Sequence, residues 1–363
     1  MFRNVFQNKR VLITGNTGFK GSWLTCWLLN LGAEVYGFAN CIPTDPSMYK
    51  TLKLEQKIHQ TWGDIRNFAD FQKCVDEVKP DFLFHLAAQA IVSTSYKNPM
   101  DTITTNVIGT ATVLEALRQT KLPITAVIIT SDKAYDNVEW LWGYRENDRL
   151  GGKDIYSGSK GAAELVIKSY WHSFLKEKSN IKMGIARAGN VIGGGDWSQD
   201  RIVVDVMKAF SENRAVEIRS PKATRPWQHV LEPLSGYLTL AMALAEGKVE
   251  SGEAFNFGPR QEITKTVEEL VLDLSKQWNL KPEEALKVTD NKPFHEATLL
   301  KLNCDKALAM LKWHATLNYE QTIELVNEWY LHFYKGNNQD MYALTLSQIA
   351  FYTNLAEKGI CNL

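Results

Sequence analysis

Near the N-terminus, Val11-Leu12-Ile13-Thr14 runs directly into Gly15-Asn16-Thr17-Gly18-Phe19-Lys20-Gly21, and an apolar stretch at helical spacing follows and closes at Gly32. A β-rich run, a glycine turn and a helix in that order leave few folds open. Glycines three residues apart let the backbone approach a pyrophosphate closely. The helix behind them directs free N–H groups and its positive end at the same point. A glycine set alone is weak evidence; its place directly after a first strand makes it an expectation of dinucleotide binding.

Further strand candidates lie at Val35 to Phe38, Ile58 to Trp62, Phe82 to Leu86, Val127 to Thr130 and Met183 to Ala186, with helical patterns between them. Strands alternating with helices imply an α/β fold with a doubly wound parallel sheet of the Rossmann type. After about Asn190 the pattern changes to glycine-rich loops, isolated Trp and Arg residues, and helices such as the one carrying Val267, Leu270, Val271 and Leu274. A smaller C-terminal substrate-binding domain is expected there. Residues 1–187, with a return near 229–258, form the expected cofactor domain; 188–228 and 259–335 form the substrate domain. Trp140 to Leu150 reads as a loop, and 336–363 as a C-terminal helical tail.

In this chain of 363 residues, forty-one basic side chains balance forty-one acidic ones, which argues against a nucleic-acid partner or an anionic membrane surface. Hydrophobic content of 45% and charged content of 23% are ordinary globular values. The longest apolar run, around Leu238 to Ala245, is far short of the roughly 20 residues that span a bilayer. The first ten residues lack the pattern of a secretory signal, so a cytoplasmic location is expected. Cys26, Cys41, Cys74, Cys304 and Cys361 are scattered and never form a Cys-x-x-Cys pair, which argues against zinc and disulfides.

The acid that holds an adenosine ribose about 20 residues after such a glycine turn is missing, and Phe38-Ala39-Asn40 stands in its place. Charge therefore leaves NAD and NADP both open. Asp64 follows the third strand and is a candidate acceptor for the adenine amino group. Tyr156 and Lys160, four residues apart on a helix, share one face. A phenol near pKa 10 is a poor base at neutral pH, and a neighbouring ammonium favours its phenolate. Tyr156 is thus suited to take a proton from a sugar hydroxyl while a nicotinamide takes the hydride. Thr130-Ser131-Asp132-Lys133 leaves the carboxyl end of an apolar strand, where ligands of open α/β sheets bind. Ser131 can bond the same sugar oxygen as Tyr156. Asp132 and Lys133 have no part in a simple alcohol oxidation; an acid beside a base is what elimination of water requires.

These residues resemble the extended short-chain dehydrogenase/reductase family, and within it the CDP-glucose 4,6-dehydratases. The likeness spans nearly the whole chain. It rests on Thr14 to Gly21, His85-Leu86-Ala87-Ala88-Gln89, Thr105-Asn106-Val107, Thr130 to Lys133, Tyr156 with Lys160, Ala188-Gly189-Asn190-Val191-Ile192-Gly193-Gly194-Gly195-Asp196-Trp197, and Arg225-Pro226-Trp227-Gln228-His229-Val230. The Asp-Lys step discriminates within the family, because dTDP-glucose dehydratases carry Asp-Glu there and related C4 epimerases carry neither pair. Three departures stand out: Ser93 where an Arg is usual, and Ile155 and Ala90 where Pro is expected.

The resemblance implies NAD as cofactor, held by Gly15, Thr17, Gly18, Phe19, Lys20, Gly21, Asp64, Ile65, Leu86, Ala87, Ala88, Gln89, Asn106, Thr130, Tyr156 and Lys160. It implies CDP-glucose as substrate, contacted by Gln89, Ser131, Asn190, Arg201, Arg225 and His295, with the arginines suited to bidentate phosphate recognition. His229 and His295 are expected to position backbone or ribose groups rather than bind metal. The implied reaction has three stages. Tyr156, Lys160 and Ser131 serve C4 oxidation; Lys133 removes the C5 proton while Asp132 protonates the departing C6 hydroxyl; hydride then returns to C6. Lys133 must be neutral for part of the cycle, which a desolvated position near other cations would favour. A nucleotide-sugar C4 epimerase, or a dehydratase of another nucleotide hexose, is the competing enzyme reading, although an epimerase has no use for Asp132 and Lys133. A non-catalytic NAD-binding regulator has no reason to keep Tyr156 with Lys160. By analogy with relatives the chain forms a homodimer or homotetramer, and its product feeds deoxysugar synthesis for cell-surface polysaccharide such as lipopolysaccharide O-antigen.

Overall fold

A computed structural model describes residues 1–260, 265–289, 299–336 and 340–360. Seven strands form one sheet: β1 (Arg10–Thr14), β2 (Glu34–Ala39), β3 (His59–Trp62), β4 (Phe82–His85), β5 (Ile124–Ile129), β6 (Ile181–Ala188) and β7 (Ala254–Phe257), in the order β7-β6-β5-β4-β1-β2-β3. Every neighbouring pair is parallel. The chain winds outward from β1 in one direction and from β4 in the other, so the strand order reverses between them.

Both faces of the sheet are buried, and alternate residues of each inner strand enter opposite cores. Val11, Ile13, Phe82, Phe84, Val127 and Ala186 belong to one apolar cluster, while Leu12, Leu83, Ala126, Ile128 and Met183 belong to the other. The second cluster is closed by α2 (Phe68–Val78), α3 (Gly109–Gln119) and α4 (Ile155–Tyr170). The first is closed by α1 (Phe19–Asn30), and further along the chain come α5 (Ile202–Ser211), α6 (Leu231–Ala245), α7 (Val267–Ser275), α8 (Tyr319–Lys335) and α9 (Met341–Ile360). That cluster continues from Trp23 of α1 through Phe210, Leu270 and Trp278 to Trp329 of α8, so one core runs from the sheet into the C-terminal half. Three short strand pairs, 191–192 with 228–229, 224–225 with 265–266, and 216–218 with 286–288, brace this half.

Helix α1 is buried from Gly21 to Leu28 without a solvent face. Such a helix needs cover on both sides. The sheet supplies one, and α9 the other: Tyr352 packs edge-on against Trp27 with ring centroids 5.6 Å apart. The Tyr352 hydroxyl donates to Glu232 at 2.7 Å and shares a 2.8 Å hydrogen bond with Ser235, both on α6. The Glu232 carboxylate also accepts from the backbone N–H groups of Thr316 and Leu317. Burial pushes its carboxyl up to about 7.

The six strand candidates fall on β1 to β6. Strand β7 was not among them: Ala254-Phe255-Asn256-Phe257 is short and is interrupted by a polar residue. Asn256 is tolerated in the core because it accepts from the Tyr135 hydroxyl at 2.8 Å and donates to the Tyr144 and Asn303 carbonyls. No helix among the described residues is long and apolar enough to cross a membrane, and the Leu238 to Ala245 run lies inside the buried α6. Tyr352→Phe removes a donor from a buried carboxylate and should lower stability by about 1–3 kcal/mol. A fall in the urea midpoint with an unchanged slope checks this.

Candidate active site

The glycine turn divides its work among three positions. Gly15 has φ +72°, a left-handed conformation, and a Cβ there would lie 2.8 Å from the Ala87 backbone at the end of β4. A Cβ at Gly21 would lie 2.2 Å from the Gly15 carbonyl oxygen, so only glycine lets α1 start this close to the turn. At Gly18 a Cβ would meet nothing nearer than 3.5 Å, which leaves the backbone open to a ligand. Gly18 is also the N-cap of α1, and no side chain caps the helix there. Free N–H groups, an open backbone and a close helix start fit the diphosphate of NAD. Thr17 is held in the turn by its hydroxyl, which donates to the Cys41 carbonyl at 2.7 Å.

Asp64 and Ile65 lie at the β3 end, apart from the catalytic candidates. The Asp64 carboxylate takes a forked contact from Arg66, at 2.6 and 2.9 Å, and Arg66 reaches Asp101 at 2.7 Å. The hydrogen bond from Arg66 holds the Asp64 carboxyl below its usual range. Arg66 was not among the expected site residues.

At the carboxyl ends of β1 and β4, register partners Thr14 and His85 are joined by a 2.8 Å hydrogen bond, and the other ring nitrogen of His85 meets Thr110 at 3.2 Å. Burial, with the charge of Lys160, pulls this imidazole down to about 3, so it is a neutral strut. Leu86 and Ala87 are pinned to Thr14, the first donating its N–H to the Thr14 carbonyl and the second to the Thr14 hydroxyl. Asn106 sits in a wide i→i+5 turn, Thr104–Ile108. Its amide accepts from the Gln89 N–H at 2.9 Å and donates to the Gln89 carbonyl and to Ser159, whose hydroxyl donates to the Tyr156 carbonyl. Asn106 therefore ties the loop after β4 to the helix carrying Tyr156. The Gln89 side chain folds back onto Ile91 and Thr102.

Asp154 caps α4 by accepting from the Ser157 N–H at 3.0 Å, so the helix starts just before Tyr156. Across from it, Ser131 donates to Asp132 at 2.9 Å and lies beside the Tyr156 phenol, and the Lys133 ammonium donates to the other Asp132 oxygen at 3.1 Å. Ser131, Asp132 and Lys133 thus form one chain of hydrogen bonds that ends beside Tyr156. Burial raises the Tyr156 phenol above its ordinary value, with Arg201 and the Ser131 hydrogen bond acting in the opposite sense. The Lys160 nitrogen lies 5.9 Å from the Tyr156 ring centre, and burial lowers its pKa to about 8. Lys20 is likewise lowered to about 8, by burial and then by Arg201, with the charge of Asp132 acting in the opposite sense. Lys133 is not the desolvated amine among cations that the sequence suggested: its side chain is 26% exposed and paired with Asp132.

Behind the site, sequence reasoning missed a buried ion pair. Glu164, one turn beyond Lys160, accepts from Arg187 at 2.6 and 2.7 Å and from Thr130 at 2.5 Å. Its charge raises the pKa of Lys160 against the effect of burial. An Arg within the apolar run Met183 to Ala188 of β6 was the available signal. Gly189 and Asn190 follow β6, and a Cβ at Gly189 would sit 3.3 Å from Asp132. Arg225 donates to the Thr224 carbonyl from the short strand pair, and His229 is buried edge-on against Trp23. His295 lies outside the described residues.

A family model described as GDP-mannose 4,6 dehydratase matches residues 12–326. The CDP-glucose 4,6-dehydratase of Salmonella typhimurium is 44% identical over 356 residues, covering 96% of this chain and 98% of that protein. Among solved structures, an epimerase from Methanothermobacter thermautotrophicus superposes with TM-score 0.77 at 21% identity, covering 92% of this chain and 95% of the other. A dTDP-glucose 4,6-dehydratase from Bacillus anthracis in complex with NAD gives TM-score 0.74 at 20% identity, covering 89% and 96%.

Gly21→Ala forces α1 away from the Gly15 carbonyl, so titration calorimetry with NAD should show binding weakened by about 100-fold or more, equivalent to roughly 3 kcal/mol. Unchanged affinity would mean that the turn does not hold the diphosphate.

Proposed function

The chain belongs to the GDP-mannose 4,6-dehydratase family, and from that membership we propose that it removes water from CDP-glucose to give CDP-4-dehydro-6-deoxyglucose. The carrying observation is the Asp132–Lys133 pair at 3.1 Å, set beside Tyr156 and Lys160. One pair suits alcohol oxidation and the other elimination. The 44% identity to a CDP-glucose 4,6-dehydratase over nearly the full length supports the substrate.

NAD is the cofactor; when bound it supplies a two-electron acceptor that is regenerated within each turnover, so no net oxidation results. Tyr156, supported by Lys160 and Ser131, takes the C4 hydroxyl proton, and the C4 ketone acidifies C5. Lys133 donates to the Asp132 carboxylate; passing it that proton makes the amine a base for C5–H and Asp132 an acid for the C6 oxygen. The paired geometry thus prepares both groups without a desolvated lysine. Lys20, Arg201, Arg225 and Asn190 are assigned to the phosphates, and residues 188–228 with 259–335 to the nucleotide sugar. Location in the cytoplasm and supply of deoxysugars for surface polysaccharide belong to the same reading.

Exposed apolar side chains Met100, Ile108, Leu165 and Phe174, on the segments around α3 and α4, support self-association through the cofactor half. Sedimentation should give a dimer or tetramer, and Leu165→Glu should shift it toward monomer. Incubation with CDP-glucose, UDP-glucose and dTDP-glucose separately, read by the alkaline absorbance of the keto product, should give a signal with CDP-glucose. Interconversion of glucose and galactose forms without keto product would sink the dehydratase reading in favour of an epimerase.

A further inference from the structure

The dehydration just proposed leaves a proton in the wrong place at the end of each turnover. Tyr156 ends holding the proton from the C4 hydroxyl. Lys133 starts as an ammonium, lends its proton to Asp132, takes the C5 proton and gives it back to C5. Asp132 loses its borrowed proton to the departing C6 oxygen, which leaves as water. The cycle therefore closes with a neutral phenol at Tyr156 and a neutral amine at Lys133, each the reverse of its starting state. No net proton is gained or lost; one must travel from Tyr156 to Lys133.

Bulk water reaches the Lys133 end of this route, where the side chain is 26% exposed, but not the Tyr156 end. Tyr156, Ser131 and Asp132 are 8%, 9% and 4% exposed. The hydrogen bonds, however, already point along the route. Ser131 donates to Asp132 Oδ1 at 2.9 Å and accepts from the Lys133 N–H at 3.2 Å, and its oxygen lies beside the Tyr156 phenol. Asp132 Oδ2 faces the Lys133 nitrogen at 3.1 Å.

We infer that Ser131 and Asp132 form an internal relay that returns the C4 hydroxyl proton from Tyr156 to Lys133 once per turnover. The Tyr156 O–H bond breaks as a new O–H bond forms on Ser131 Oγ, and the former Ser131 proton passes to Asp132 Oδ1. A half-turn of the carboxyl then delivers it to the Lys133 nitrogen, restoring phenolate, hydroxyl, carboxylate and ammonium. Ser131 is then a resetting residue as well as a support for Tyr156.

The relay presupposes the dehydratase reading, and quenched-flow assays of the NAD-loaded full chain with CDP-glucose separate the two. In Ser131→Ala, the first equivalent of keto product per site should be slowed only by the weaker support of Tyr156, and later turnovers should be slower than that first one by about 100-fold, the scale of a lost proton-transfer group. Added imidazole should raise that slow rate in proportion to its concentration while leaving the wild type unaffected. Ser131→Thr, which keeps the hydroxyl, should restore continuous turnover. A Ser131→Ala enzyme slowed equally from the first turnover onward and indifferent to imidazole would overturn the relay and leave Ser131 as a support for Tyr156 alone. If the wild type forms no keto product, the dehydratase reading fails and the relay with it.

Discussion

Strand β1 is paired in parallel on both sides, with β2 and with β4, and this constraint places the remaining parts of the molecule. With every strand running the same way, all carboxyl ends reach one edge of the sheet. The chain leaves β1 toward one face and β4 toward the other, so a crevice opens between them that no side chain of the sheet can fill. The glycine turn, the Leu86 to Gln89 loop and the Ser131 to Lys133 step are the segments that emerge around it. The Thr14–His85 bond fixes the two strand ends on which the crevice depends.

Charge in this crevice is unbalanced by design of the fold. Lys133 pairs with Asp132, Lys20 feels the charges of Arg201, Asp132 and Lys160, and burial disfavours the charged forms of Lys20 and Lys160, both held near 8. A nucleotide diphosphate entering here brings negative charge that raises those pKa values again. Proton uptake by the lysines and binding of the phosphates therefore favour each other, and each strengthens the other by the same amount. The Arg187–Glu164 pair holds opposite charges in the core beneath, where removing one partner costs about 3–5 kcal/mol because the other stays buried.

Much of this was legible in the sequence because it rests on local rules. The glycine spacing marked the turn, the alternation of short apolar runs with helical patterns marked six strands, and the four-residue step from Tyr156 to Lys160 marked a shared helix face. What escaped depends on residues distant in the chain. Strand β7 is recognisable only beside β6, and Glu164 is an ordinary helical acid until Arg187 meets it 23 residues later. Likewise Asn106 owes its position to a widened helical turn that no spacing rule announces. Lys133 was misjudged for a different reason: its partner is its own neighbour, and whether adjacent side chains meet is decided by the short helical turn Asp132–Ala134.

Helix α9 lies against α1, although more than 300 residues separate them in the chain. On a ribosome, α1 and its glycine turn emerge early, with the indoles of Trp23 and Trp27 ready to be covered, while Tyr352 emerges only after the whole sheet has been made. The nascent domain must therefore wait, with an apolar helix uncovered on one side, until the last helix arrives. Completion of the apolar cover behind the cofactor cradle is thereby tied to that late event.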